Sequence, residues 1–215
     1  MTNYIEIAMI INKYIVAITV GEMLDNIEPT LKEYLKDCKK LVILGIGNTM
    51  KGDDGVGIVI VENLLKHHHL KEDNCQQDID SDQIGRREIN KISNDIIILN
   101  CGVVPENFTD VLRKEKPDKI IIIDAAIMGE EPGTIKIIDP EDISKVGFST
   151  HSLPLSLIVK YIKYHINTEI IIVGIEPENL DFGKSLSKKV YERSLEFTDI
   201  LKDILCSFEN KESIS

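Results

Sequence analysis

The sequence predicts a three-layer α/β/α domain, with a twisted, mostly parallel sheet of about five strands flanked by helices on both faces. Three observations carry that prediction. Short, continuous apolar runs recur as LVILGIG (41–47), IIILNCG (96–102), KIIIIDAA (119–126) and IIIVGIEP (170–177), as expected of strands buried on both faces. Segments with helical spacing separate them, and strands that alternate with helices favour a parallel sheet. A chain of 215 residues, 43% hydrophobic and 28% charged, fits one domain with a sizeable core.

The elements follow in order. Residues 4–20 (YIEIAMIINKYIVAITV) form a long apolar run, interrupted by Glu6 and Lys13. It is shorter than the ~20 residues of a spanning helix and lacks the basic lead of a signal peptide. Two readings stay open for residues 1–22. Either they reflect a start upstream of Met23, or they add an element packed on the core or against a second subunit. A leading helix is expected over 27–38. After the strand at 41–47, Asp54 to Lys66 carries Val56, Ile60 and Leu64 on one helical face. Residues 67–95 are polar and read as an exposed insertion. Pro105 suits the first turn of a helix. GTIKIID (133–139) alternates and reads as an edge strand. Helices are expected over 153–165 and 184–208, with a fraying tail over 209–215. The domain is thus read as 40–208, preceded by an extension and leading helix over 1–39.

The net charge of −11 argues against a nucleic-acid binder, which needs a basic face, and it does not suit an anionic membrane. Cys38, Cys75, Cys101 and Cys206 show no zinc spacing and read as reduced thiols of a cytoplasmic protein.

Chemistry concentrates at predicted strand ends, where open α/β sheets bind ligands. The run GIGNTMKGDDGVG has the layout of a phosphate-binding turn, yet Asp53 and Asp54 stand where a pyrophosphate would lie. Two carboxylates there repel phosphate and attract a cation. Asp124 closes another strand, and His151 lies in the loop STHSLP. Asp54, Asp124 and His151 form a mixed oxygen and nitrogen set that suits Zn, Ni, Mn or Fe and leaves positions open for water or substrate. Alone, each has a plainer reading: a helix cap for Asp53 or Asp54, a turn residue for Asp124, a solvated histidine for His151. His67–His69 with Cys75 read better as a solvated run than as a metal site.

The segments GIGNTMKGDDGVG, VVPEN, IIIIDAAIMGEEPGTIKIIDPEDI, THSLPLSLI and VGIEPENLDFG together resemble the nickel–iron hydrogenase maturation proteases. The likeness is to the branch serving formate-hydrogenlyase-type and energy-converting hydrogenases, and it covers roughly 40–205. It implies an endopeptidase, classed with the aspartic type, that removes the C-terminal extension of a hydrogenase large-subunit precursor after nickel insertion. It further implies that Asp54, Asp124 and His151 engage nickel carried by the precursor, with Asp54 and Asp124 catalytic. A divalent ion such as Zn, Cd or Ni is expected to bind the same site. Asp53 is expected to cap or support. Asn48, Asn100 and Glu176 are expected to border the substrate, with a turn-shaping role as the plainer reading of Asn48 and Glu176. The partner is the precursor, without nucleic acid or membrane. A monomer is expected, with a dimer possible through the N-terminal extension.

One departure stands out. The family usually ends the second strand on an aspartate, whereas this chain has Asn100, which cannot act as a carboxylate base. Which group activates the attacking water stays open. Two other readings are weighed: a nickel-sensing chaperone that does not cut, and a Rossmann-like oxidoreductase. The second fails on spacing, because Gly45 and Gly47 are followed by Gly52 and no GxGxxG forms.

Overall fold

A computed structural model of the chain describes residues 26–72, 89–93, 95–148 and 154–212. The chain divides after Lys36 into two units. In the first, helix α1 (Ile27–Tyr34) is four residues shorter than the expected 27–38. It is braced by a Lys32–Glu28 pair at 2.6 Å, one turn apart.

The second unit holds a sheet with the order β2-β3-β1-β4-β7-β5. Its centre is parallel: β1 (Leu41–Gly45) lies between β3 (Ile96–Asn100) and β4 (Lys119–Ile127), and β4 pairs with β7 (Glu169–Ile175). The edges β2 (Ile89–Lys91) and β5 (Ile135–Ile138) run antiparallel. A two-residue strand, β6 (Gly147–Phe148), hydrogen-bonds to the end of β4. The described residues therefore make seven strands where about five were expected. The two additions are β2, inside the stretch read as irregular, and β6. Both are too short for a period-2 pattern to register.

β1 is buried along its whole length and β3 at every residue but Asn100, because helices cover both faces of the sheet. One face of β1, β3 and β4 meets α2 (Val56–Glu72), which packs in turn on α5 (Lys188–Glu212). The other face carries Val42, Leu44, Ile97, Leu99, Ile120, Ile122 and Ala126 into one core. That core includes Leu112 of α3 (Thr109–Glu115) and Leu155, Ile158 and Ile162 of α4 (Leu155–His165).

Three boundaries are corrected. α2 runs six residues past Lys66, through the polar His67–Glu72, so the insertion begins later than residue 67. α5 begins at Lys188 rather than 184 and continues through Glu212, where a frayed tail was expected. Pro105 opens a 3-10 turn, Pro105–Phe108, that leads into α3. Among the described residues, no helix is long and apolar enough to cross a membrane. Among the described residues, Cys38, Cys101 and Cys206 form no disulfides.

Candidate active site

The site forms at the carboxyl ends of β1 and β4, and the glycines of the first turn decide its shape. After Gly45 the chain leaves β1 with the Ile46 N–H donating to the Ile123 carbonyl of β4 at 2.9 Å. Gly47 then adopts a φ of +142°, and a Cβ there would lie 1.8 Å from the Asp54 carbonyl oxygen. The Asn48 N–H donates to that same oxygen at 3.2 Å, which closes the loop back on itself. Gly52–Gly55 form a 3-10 turn before α2 begins. A Cβ on Gly57 would lie 2.3 Å from the Ile123 carbonyl oxygen. The start of α2 is therefore seated directly on β4, one residue before Asp124.

Asp53 and Asp54 are adjacent and both buried, but their surroundings differ. The Asp53 carboxylate accepts three backbone N–H bonds from far along the chain: Glu178 and Asn179 at 2.9 Å each, and Ser187 at 2.6 Å. It makes no capping bond to its own helix, so the capping expectation is corrected. Asp53 instead anchors the segment between β7 and α5. Asp54 is 3% exposed, and its Oδ1 has no hydrogen-bond partner among the described residues. A buried carboxylate oxygen left this way is costly, and such a cost is a mark of a functional group.

Asp124 is fully buried, and β4 continues past it to Ile127, so it sits within the strand rather than closing it as expected. It lies opposite Gly174 of β7. Strand alternation puts it on the face of Ile122 and Ala126, towards the α3–α4 layer. His151 lies outside the described residues. The chain enters that segment from β6, paired with Ala126 and Ile127, and leaves it at Pro154 before α4. Among the described residues no group of three His, Cys, Asp or Glu side chains is clustered to hold a metal ion. His67 lies within α2, and Cys75 falls outside the described residues.

The other expected residues shape turns. The Asn48 Oδ1 accepts from the Met50 N–H at 3.0 Å, a local turn bond. The Glu176 Oε2 accepts from the Met128 and Glu130 N–H groups at 2.6 and 3.2 Å, tying the end of β4 to that of β7. Asn100 ends β3 opposite Gly45. Its Oδ1 accepts from Gly102 N–H at 3.1 Å and its Nδ2 donates to Glu62 of α2 at 3.3 Å. Glu62 is not marked in the sequence as a site residue. Its place on the polar side of a helix gave no signal, and only the fold brings it to Asn100.

A family model described as hydrogenase maturation protease matches residues 86–203, more than half of the chain. The chain belongs to the hydrogenase maturation protease family. It is similar to a Methanocaldococcus jannaschii protein named for that activity, with 46% identity over 152 residues, covering 71% of this chain and 80% of the relative. It is similar also to the hydrogenase 3 maturation protease of Escherichia coli K12, 30% identical over 150 residues, covering 69% and 80%. In structure it matches the [NiFe] hydrogenase maturation protease HycI of Thermococcus kodakarensis with a TM-score of 0.63 and 28% identity, over 82% of this chain and 98% of that one. The expected α/β sheet with helices on both faces is thus the family's fold, and the chain is a peptidase.

Proposed function

We propose that this protease removes the C-terminal extension of a nickel–iron hydrogenase large-subunit precursor once nickel has been inserted. In this reading Asp54, Asp124 and His151 meet the nickel that the precursor carries. The metal belongs to the substrate, and its docking sets the scissile peptide beside the two carboxylates. A water then attacks the peptide carbonyl carbon, one carboxylate takes the water's proton, and the departing amine receives a proton as the C–N bond breaks. Asn100 takes no proton in this scheme.

The observation that supports this reading best is Asp54 itself. Its Oδ1 is buried without a hydrogen-bond partner among the described residues, while the neighbouring Asp53 accepts three backbone N–H bonds. An acceptor held in that state favours a cation that arrives with the substrate. The same feature argues against phosphate or dinucleotide binding at this turn.

The test is cleavage of purified precursor, loaded with nickel or metal-free, read by mass spectrometry. The expected result is loss of the C-terminal segment from the loaded form alone. Equal cleavage of both forms would refute recognition through nickel. An intact loaded precursor would refute the assigned activity.

A further inference from the structure

We infer that Glu62, acting through Asn100, is a positioning residue for Asp54. This rests on the proposed role of Asp54 in cleavage.

The link is a continuous run of hydrogen bonds between α2 and the glycine turn. Glu62 Oε1 accepts from Asn100 Nδ2 at 3.3 Å. The Asn100 Oδ1 accepts from the Gly102 N–H at 3.1 Å. The Gly102 carbonyl accepts from the Gly47 N–H at 2.9 Å. Gly47 is the residue with no room beside the Asp54 backbone, and Asn48 N–H bonds to the Asp54 carbonyl at 3.2 Å. Asn100 is the last residue of β3, and Gly102 and Gly47 lie just beyond the ends of β3 and β1, so these bonds extend the order of the sheet into the glycine turn. Glu62 and Asp54 also sit on one rigid piece, since the 3-10 turn runs directly into α2. The bonds therefore close a ring: helix, strand end, glycine turn, then helix again.

The ring explains why an amide stands at position 100. A side chain there must accept from Gly102 and also donate to a carboxylate on α2. An asparagine does both at once, while an ionised aspartate would set two negative charges at hydrogen-bond distance. Moving the carboxylate to the strand is tolerable only if the helix partner becomes the donor. Glu62 and Asn100 thus act as a polarity-matched pair, and the match, rather than either residue alone, holds the turn.

Four variants test this: E62A, E62Q, N100D and the double variant E62Q/N100D. Cleavage of nickel-loaded precursor is expected to fall at least tenfold in kcat for E62A and N100D. E62Q keeps an acceptor oxygen and is expected to stay within threefold of wild type. The double variant reverses the bond, with Gln donating to Asp, and is expected to recover to within threefold. Amide hydrogen exchange at Gly47, Asn48 and Gly102 gives a second readout that needs no substrate. It is expected to rise at least tenfold in E62A and N100D and to return in the double variant. An N100D protein as active as wild type, a double variant no better than N100D, or unchanged exchange at the three amides would overturn the inference. A wild-type protein that leaves loaded precursor intact, with exchange behaving as expected, would instead refute the proposed function and leave this linkage standing.

Discussion

Asp53 and Asp54 are chemically identical neighbours, and their opposite surroundings predict opposite responses to the same change. Asp53→Asn keeps the shape but replaces one carboxylate oxygen with an NH2 group. If the amide oxygen keeps the Glu178 and Asn179 N–H groups, the new NH2 faces the Ser187 N–H across a 2.6 Å gap, donor against donor. One charge-assisted bond is lost at about 1.5–3 kcal/mol, and the two that remain are weakened. The sum is about 3 kcal/mol. For a chain of this length each kcal/mol moves Tm by roughly 2–4 °C, so a fall of roughly 6–12 °C is expected. Asp54→Asn replaces a buried carboxylate whose Oδ1 has no hydrogen-bond partner among the described residues. Neutralising it should raise Tm by roughly 2–4 °C, about 1 kcal/mol, while cleavage of loaded precursor falls at least ~100-fold. Scanning calorimetry at neutral pH, with mass spectrometry of the precursor, reads both effects. A Tm for D53N within 2 °C of wild type would refute the anchoring role. A D54N protein that is less stable than wild type, or that still cuts, would refute the reasoning for Asp54.

Three further outcomes are expected. Gly57→Ala places a methyl group 2.3 Å from the Ile123 oxygen and 2.4 Å from the Ile46 oxygen, both backbone atoms, and should lower stability by more than ~2 kcal/mol in a denaturant titration. Glu115 accepts from Lys40 and Lys91 at 2.6 and 2.7 Å, and those bonds hold its carboxyl below its ordinary value. Because the folded value is depressed, the stabilisation is complete above the unfolded value of about 4.5 and is lost as pH falls through the folded one. Glu115→Gln should therefore be less stable than wild type at pH ~7, with the gap closing below pH ~4 when both are melted across pH. Burial pushes the Cys101 thiol well up, and burial with Asp118 nearby pushes Cys38 up to about 12. Iodoacetamide at pH ~8 should leave Cys101 unlabelled and modify Cys38 far more slowly than in denaturant, as mass spectrometry of peptides would show.

Much of the fold was legible because the central strands are written as unbroken isoleucine, leucine and valine runs, and only burial on both faces tolerates them. Less was legible where order depends on partners distant in the chain. β2 and β6 are three and two residues long and exist through pairing with β3 and β4. The end of α2 carries His67–Glu72, so its apolar period stops before the helix does. The site divides in the same way. The acidic pair was visible in GDDG, but the separate duties of Asp53 and Asp54 were not. Asp53 takes its partners from residues 178–187, more than 120 positions away. Asn100 was visible as a departure from the family pattern, and its reason, Glu62, lies on a helix 38 positions earlier.

The central claim is that Asp54 and Asp124, with His151, read one metal ion. A crystal of this protein soaked in a nickel or cadmium salt tests it most directly, with the ion placed by anomalous scattering. A single ion is expected within about 2–2.5 Å of a carboxylate oxygen from each of Asp54 and Asp124 and of a His151 ring nitrogen. An ion lying more than about 3 Å from all three side chains would contradict it.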